Sequence, residues 1–399
     1  MDFFNKQHRR KHVTVKLIFD IGSSSVGCAV VSFPVDNSKP SLLFVKRTPI
    51  VPPGEFNHER LVRQMTAALL LLCEAVRTFL LQNKSVGGVD EICCVLSSLW
   101  HSSQTYTLKK RQEDNLTVSI DFLEELLQQE MGRSNEEYDE DLKRKYIHNP
   151  VVFERRILEI ALNGYKIVDP IGKLAKDIEL SIFSAVVDSA LCKKIHDTIG
   201  GQFNNVSISF HSHTLSLFLV IRNYLNENSN FILLNINGEM TDITFIEDDI
   251  LGDTVSIPTG TNTIMRAVAK KRGGSTEEAL SLLCLTGEGG QIDHESREYK
   301  VVQNIGLSWR AEVFAKIKKS TYHFPTSQHF FLVATPNFAS WFKELIEKMP
   351  EVEEDGHLPT FRPFVASFSS AMTKNFIESK RGVIIDPILT VEALHIARL

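Results

Sequence analysis

Apolar runs that alternate with short polar turns are most regular in two segments of the chain. In 16–31 (KLIFDIGSSSVGCAVV), an apolar run ends at Asp20, a turn of glycine and serine follows, and the apolar pattern then resumes. In 231–246 (FILLNINGEMTDITFI), two apolar runs enclose a turn around Gly238 and Glu239. Continuous apolar runs bounded by turn residues are typical of buried strands. Each segment therefore predicts two paired strands.

The remaining pattern predicts a mixture of helices and strands. Residues 59–82 predict an amphipathic helix that covers a sheet, because apolar residues recur every three or four positions. These residues are Leu61, Met65, Leu69, Leu72, Val76 and Leu80. Residues 95–190 predict a small α+β subdomain with a helix at 121–131. The acidic stretch 134–144 has no apolar stripe and predicts an exposed loop.

The composition fits a large protein with more than one domain. The chain has 399 residues, of which 43% are hydrophobic, and a chain of this length exceeds a single core. Its formal net charge of −5 gives no electrostatic reason to expect nucleic acid, and no apolar run predicts a transmembrane segment. The basic leader 1–13 lacks an apolar signal core. Six cysteines without metal-ligand spacing predict reduced core residues in a cytoplasmic protein.

Small residues in the two turns let backbone N–H groups approach an anion closely. The first turn resembles the first phosphate motif, D-x-G-[ST]-[ST]-x-x-G, of the superfamily that contains actin, sugar kinases and heat-shock chaperones. The matching residues are Asp20, Gly22, Ser23, Ser24 and Gly27. The second turn follows the length of the second phosphate motif of that superfamily, D-I-G-G-G-T-[TM]-D-I, over 235–243. The pair predicts a nucleotide held between two related domains.

The segment 256–283 is similar to the cell-division protein FtsA and to its relative, the pilus-assembly protein PilM, and the segment 155–187 resembles FtsA. The resemblance implies an α/β fold with two ribonuclease H-like (actin-like ATPase) domains around a nucleotide cleft. It also implies a small α+β subdomain of the SHS2 type inserted in the first domain. The implied division of the chain is a basic leader at 1–13, a first domain at 14–94 and 191–228, the insertion at 95–190 and a second domain at 229–399.

The resemblance further implies a binding site for ATP and Mg²⁺. The residues implied to line it are Asp20, Gly22, Ser23, Ser24, Asn237, Gly238, Met240, Thr241, Thr259 and Gly260. Asp20 is the implied metal ligand, because the first-motif aspartate of this superfamily orients Mg²⁺ at the γ-phosphate. The resemblance assigns no catalytic residue to this chain.

Three departures from the superfamily motifs weaken this site. Asn235 replaces the acid of the second motif and brings no charge to a hydrated magnesium ion. Glu239 replaces a glycine where phosphate approaches, and two unit charges at about 4 Å repel by about 1 kcal/mol in water and about 4 kcal/mol at an effective dielectric of 20. Thr335 and Pro336 stand where the superfamily has a glycine pair against adenosine. ATP binding stays an expectation, whereas ATP hydrolysis is not expected.

The degenerate site favours an interaction protein over an enzyme. The expected function is that of a bacterial, cytoplasmic, actin-like scaffold that resembles FtsA or PilM and links a membrane complex or a filament to its partners. The expected partners are proteins, among them a membrane protein or the division filament and further copies of the chain, at the inner face of the cell membrane. The alternative is a phosphotransferase of the same fold, such as a sugar or acetate kinase, which requires an intact phosphate clamp.

Two further patterns resemble ligand sites. His211 and His213 are two residues apart, a spacing that suits a metal on a strand, but the sequence shows no third ligand. They are therefore interpreted as hydrogen-bonded or solvent-facing histidines. The glycine-rich stretch 287–291 lacks the Lys-Ser/Thr pair of a phosphate loop and predicts a turn.

Overall fold

A computed structural model describes the chain over 13–36, 38–50, 54–129, 136–225, 230–287, 293, 295–319, 329–348 and 363–399. The strands are β1 (Val13–Ile21), β2 (Ser25–Pro34), β3 (Ser41–Pro49), β4 (Glu91–Leu96), β5 (His101–Thr117), β6 (Pro150–Leu162), β7 (Tyr165–Lys166), β8 (Leu174–Asp188), β9 (Ser207–Ser212), β10 (Phe231–Ile236), β11 (Thr241–Glu247), β12 (Ile250–Ile257), β13 (His329–Val333), β14 (Phe364–Ser367) and β15 (Glu378–Ser379). The helices are α1 (His58–Gln82), α2 (Ile120–Gln129), α3 (Glu136–Arg144), α4 (Ser189–Gly200), α5 (His213–Val220), α6 (Thr261–Arg272), α7 (Thr276–Gly287), α8 (Arg297–Lys319), α9 (Pro336–Glu347), α10 (Ser370–Thr373) and α11 (Pro387–Ile396).

Two of the sheets repeat one topology. The first runs β15-β3-β2-β1-β4-β9, and the second runs β12-β11-β10-β13-β14. In each, a three-stranded antiparallel meander is followed by two parallel strands, β4 and β9 in the first sheet and β13 and β14 in the second. The two predicted strand pairs are confirmed as β1 with β2 and β10 with β11. They occupy equivalent places in the two sheets, so their turns are equivalent as well.

Helices cover both sheets and form the cores. The predicted amphipathic helix is confirmed as α1, which is capped by the Asn57 side chain and buries its apolar face against the first sheet. Helices α5 and α11 belong to a core that also contains residues of both sheets, among them Ile18 and Leu233. The remaining face of the second sheet is packed by α6, α7, α8 and α9. One continuous apolar core therefore joins the two sheets through α5 and α11.

Helix α1 is the one helix of the described chain that is long and apolar enough to cross a membrane by length and composition. Core helices of folded domains satisfy the same criteria, and α1 buries Leu61, Met65 and Leu69 in the core of the first sheet. No other described helix satisfies them.

The inserted subdomain forms a separate sheet with the order β5-β8-β6-β7, and α2 packs on it through Leu123 and Leu126. The loop predicted at 134–144 is wrong over the described part of that stretch, where α3 forms instead. The Ser102 hydroxyl of β5 donates to Asp141, and Lys145 pairs with Asp141 at 2.9 Å. These contacts fix an acidic helix that has no apolar stripe, so the hydrophobic pattern could not reveal it.

The end of the chain returns to the first sheet. Strand β15 pairs in parallel with β3, and α11 packs against α5, β1 and β2. The predicted second domain, 229–399, included this segment, whereas in the structure it lies on the first sheet. The glycine-rich stretch at 287–291 lies outside the described residues apart from Gly287.

Candidate functional site

The two glycine-containing turns lie face to face and are in direct contact. Residues 22–24 connect β1 to β2, and 237–240 connect β10 to β11. The backbone N–H of Glu239 donates to the Ser23 hydroxyl at 3.0 Å, and the Asn262 side-chain amide donates to the Ser23 carbonyl at 3.2 Å. Ser23 and Glu239 are both buried. The Glu239 N–H and the Ser23 hydroxyl, two groups that would otherwise face a phosphate between the turns, are thus bonded to each other.

Two glycines allow this approach. A Cβ added at Gly238 would lie 2.6 Å from the Ser24 nitrogen and 2.7 Å from the Ser23 carbonyl carbon, both backbone atoms of the opposite turn. A Cβ at Gly260, in the loop before α6, would lie 2.4 Å from the Asn237 carbonyl oxygen. Such distances are well inside van der Waals contact. Glycine is required at both positions because protein backbone fills the space beside them.

Two further contacts close the same cleft. Met240 of the second turn is buried in the core of the first sheet, together with residues such as Val26. Asp242 at the start of β11 accepts hydrogen bonds from Ser98, which follows β4, at 2.9 Å and from Ser256 at 2.6 Å. Burial raises the pKa of Asp242. The second turn is therefore anchored to the first domain by polar and apolar contacts together.

Asp20, the implied Mg²⁺ ligand, is paired with Arg47 of β3, which reaches it across Gly27 of the intervening strand β2. Arg47 Nη1 lies 2.6 Å from Asp20 Oδ2 and 2.9 Å from the Ser25 hydroxyl, while Arg47 Nε lies 2.6 Å from Asp386 Oδ2. Burial alone would raise the pKa of Asp386, but Arg47 and two backbone N–H groups outweigh burial and lower it. The two carboxylates likewise raise the pKa of Arg47 against the effect of its burial. One guanidinium thus occupies the position beside Asp20 where a cation would bind.

Glu239, the residue that replaces a motif glycine, is also neutralised. Arg266 of α6 forms a bidentate pair with its carboxylate, and Asn262 and Thr263 donate to the same carboxylate at 3.1 and 3.3 Å. The Arg266 guanidinium lies 6.0 Å from the ring centroid of Phe56, which belongs to the first domain. A fork of two parallel hydrogen bonds gives this pair a fixed geometry. The extra negative charge therefore serves a contact within the protein.

A second buried cluster adjoins Asp20. Ligand atoms of Asp20, His213 and Glu392 lie within 4.8 Å of one another, and His213 Nδ1 is 3.3 Å from Glu392 Oε1. Burial, followed by the charge of Asp20, raises the pKa of Glu392 well above its usual range, and burial lowers the pKa of His213. Both shifts favour the uncharged forms of these groups. The cluster therefore places a carboxyl group and an imidazole that favour their neutral forms beside Asp20, which is already paired with Arg47.

These residues do not fit Mg²⁺ with ATP. Mg²⁺ requires several oxygen ligands in octahedral geometry, but the Asp20 carboxylate is held by the positively charged Arg47 and its other close neighbours include the imidazole of His213. The side-chain nitrogens of Asn235 and Asn237 have no hydrogen-bond partner in the described structure. They are donors that an anion would accept, but the contact between Ser23 and Glu239 takes the space between the turns.

The other residues implied by the motifs contact protein groups. Thr241 donates to the Thr259 carbonyl at 2.7 Å and accepts from the Trp309 indole at 3.1 Å. Thr259 donates to Glu312 at 2.9 Å. Gly22 closes its own turn through Ser25 at 3.0 Å, and Ser24 accepts from the Ile50 backbone at 2.7 Å. The structure therefore brings the implied residues together at one place, and whether they bind nucleotide stays a prediction.

Arg47, Arg266, Asp386 and Glu392 were not anticipated from the sequence. Their partners are distant in the chain, with 339 positions between Arg47 and Asp386. One signal was present, because Glu239 in a phosphate turn requires a nearby cation and Arg266 follows in the segment 256–283. The sequence also placed His211 and His213 together, whereas the structure directs them to different clusters.

The buried acid gives a testable pH dependence. Because the pKa of Glu392 is raised from about 4.5, its contribution to stability is complete below that pH and is lost as pH rises toward the folded-state value. A Glu392→Gln variant keeps a neutral side chain of the same size. As pH rises through that interval, we expect the free energy of unfolding of the variant to increase relative to that of the wild type, by up to about 1.4 kcal/mol per pH unit. Urea unfolding at several pH values measures this, and a constant difference between pH 5 and 8 would contradict it.

Comparison with known proteins bears on the fold. The sequence matches no protein-family model and no curated protein. A solved structure, the PilM-PilN type IV pilus biogenesis complex, superposes with a TM-score of 0.58 at 14% identity, over 98% of this chain and 98% of that chain. The chain has the actin-like ATPase fold. The predicted fold class, with two such domains and an inserted α+β subdomain, is confirmed by this match and by the repeated sheets.

Two more distant structures also match. A Bacteroides thetaiotaomicron protein with an actin-like ATPase fold has a TM-score of 0.39 at 10% identity and covers 99% of each chain. The ethanolamine utilization protein EutJ from Carboxydothermus hydrogenoformans has a TM-score of 0.41 at 11% identity, over 96% of this chain and 89% of that one. Identities this low concern the fold alone. The actin-like ATPase fold does not by itself assign an activity to this chain, because activity depends on the residues of the cleft.

Proposed function

We propose that this protein is a protein-binding scaffold in which an actin-like fold is held closed by its own side chains instead of by nucleotide. The observation that carries the proposal is the direct bond between Ser23 and Glu239, with Arg47 and Arg266 on either side. In an ATPase of this fold, nucleotide and metal join the two domains. Here the hydrogen bonds between the turns and the contact of Arg266 with Phe56 do so, while Arg47 pairs with Asp20 and Asp386 on the first sheet.

The proposed partners are proteins, at the cytoplasmic face of a membrane complex or on a filament. PilM, which shares this fold, is solved in a complex with PilN, and this supports a protein partner for the present chain. The alternative, a sugar or acetate kinase, requires a phosphate clamp with free N–H groups and a carboxylate for Mg²⁺. Both requirements conflict with the pairing of Asp20 and with the filled turns.

The proposal predicts that ATP does not bind. Titration of ATP into the purified protein, with and without Mg²⁺, should give no saturable heat up to millimolar ATP, because the phosphate position is occupied by the Ser23 and Glu239 contact. Sedimentation velocity should give one distribution whether or not ATP is present. Mg²⁺-dependent binding that is abolished by Asp20→Ala would overturn the proposal and restore the ATPase alternative.

A second arm tests the scaffold itself. Wild type and a Ser23→Ala variant should recover the same partners from source cells in the presence and absence of ATP, since assembly is proposed to depend on surfaces of the closed form. Removing the Ser23 hydroxyl deletes one bond between the turns but leaves Arg47 and Arg266 paired. Partner recovery that requires added ATP would contradict the nucleotide-independent scaffold.

A further inference from the structure

A second histidine cluster lies apart from the cleft, where three distant parts of the chain meet. Glu154 comes from β6 of the inserted subdomain, His211 from β9 of the first sheet and His395 from α11. Ligand atoms of all three lie within 4.8 Å of one another. Glu154 and His211 are largely buried and His395 is 3% exposed. The cluster thus has one carboxylate and two imidazoles in a site shielded from solvent.

The Glu154 and His211 side chains are held in place by neighbouring groups. Glu154 Oε2 accepts the backbone N–H of Ser212 at 2.7 Å, and Glu154 Oε1 lies 3.2 Å from His211 Nδ1. On the other side of the ring, His211 Nε2 lies 3.1 Å from the Ser209 hydroxyl. That hydroxyl donates to Glu91 at 3.2 Å.

The contacts of His211 are compatible with two tautomers, because the Ser209 hydroxyl lies within reach of Glu91, of the Ile92 carbonyl and of His211 Nε2. In one tautomer His211 Nδ1–H donates to Glu154. In the other, His211 Nε2–H donates to Ser209, and the Nδ1 lone pair and the Glu154 carboxylate face each other as two ligands for a cation. Metal-binding histidines are commonly held in this way, with the second ring nitrogen donating to a hydroxyl or carboxylate.

His395 supplies a third donor atom. Its Nε2 is buried and has no hydrogen-bond partner in the described structure. Its ring lies edge-on to that of His211, with the centroids 5.9 Å apart. An unpaired buried imidazole nitrogen is costly unless a ligand satisfies it.

We propose that Glu154, His211 and His395 bind a divalent transition metal of the zinc class, which fastens the inserted subdomain and α11 to the first sheet. One carboxylate and two imidazoles form a donor set that zinc accepts, whereas Mg²⁺ and Ca²⁺ prefer oxygen ligands. Zinc bonds of about 2.1 Å in a tetrahedral site separate neighbouring ligands by about 3.4 Å. The Glu154 and His211 atoms are at 3.2 Å, and the ligand atom of His395 lies within 4.8 Å of the other two ligand atoms.

Metal binding is measured on the full chain after removal of metals by a chelator. Titration with Co²⁺ should produce the visible absorption of a tetrahedral site and saturate at one ion per chain, and Zn²⁺ should displace it. Bound Zn²⁺ should raise the melting temperature. Glu154→Gln and His395→Gln should each lower the Zn²⁺ affinity at least tenfold. The control His196→Gln, on the exposed face of α4, should leave the affinity unchanged.

A variant that alters the orientation of His211 but keeps all three ligands tests the proposal even if a ligand variant does not fold. Ser209→Ala retains all three ligands and removes the hydroxyl that orients His211, so it should weaken Zn²⁺ by about tenfold. Circular dichroism checks that each variant is folded. If the wild type binds neither ion in stoichiometric amount, or if the Ser209 and ligand variants bind as tightly as the control, the proposed site is wrong. Neither outcome bears on nucleotide binding, because the cluster is separate from the cleft.

Discussion

An Arg47→Met variant should lose about 3–5 kcal/mol of its free energy of unfolding, because the buried carboxylate of Asp20 and the partly buried carboxylate of Asp386 would be left without a cation. Asp20 and Asp386 both accept hydrogen bonds from this one guanidinium, and Asp20 is 3% exposed. Methionine retains much of the length of the side chain, so packing changes less than charge. Urea unfolding followed by circular dichroism measures the loss, which should be largest near neutral pH, where Asp386, whose pKa is lowered, is ionised.

Two further variants test whether that loss comes from the unpaired carboxylates. Arg63→Met removes a mostly exposed arginine of α1 whose contact with Glu59 spans 4.0 Å, and it should change stability by less than about 0.5 kcal/mol. Adding Asp20→Asn to Arg47→Met removes one of the unpaired charges and should recover part of the loss. If Arg47→Met costs less than about 1 kcal/mol, the guanidinium is not the counter-ion of Asp20 in solution.

The local hydrophobic pattern was sufficient to predict the central strand pairs and helix α1. The strand pairs around Asp20 and Gly238 were predicted because both strands of each pair are continuous apolar runs joined by a short turn. Helix α1 was predicted because its apolar residues lie on one face. These features depend on neighbours in sequence, and the superfamily resemblance then supplied the arrangement of the two domains.

Long-range polar contacts were not accessible in the same way. Arg47 lies on β3, and no residue near it in the sequence indicates that its partner is Asp386, which precedes the last helix, α11. The substitution at Glu239 was identified correctly as a charge in a phosphate turn. Its effect depends on Arg266, whose distance from Glu239 is set by the loop between β12 and α6. The turn that was expected to repel phosphate is held in the structure by the pairing of Glu239 with Arg266 and by its hydrogen bond to Ser23.

The contact between the two turns yields the second large expected effect. Gly238→Ala should destabilise the protein by about 2–4 kcal/mol, since the added Cβ meets the backbone of Ser23 and Ser24, which cannot move aside as a flexible side chain would. Relief of the overlap requires the turns to separate. Separation would break the hydrogen bond from the Glu239 N–H to the Ser23 hydroxyl. It would also expose the Met240 side chain, which packs into the core of the first sheet.

Hydrogen exchange and limited proteolysis localise the effect of Gly238→Ala. Exchange should increase in both turns together, because they lie in different domains but share one contact. Gly88→Ala is the matched control: an added Cβ there meets nothing within 4 Å, and the variant should behave as the wild type. If Gly238→Ala is as stable as this control, the turns do not touch in solution. The cleft would then be open, and nucleotide would again be the best candidate for what joins the two domains.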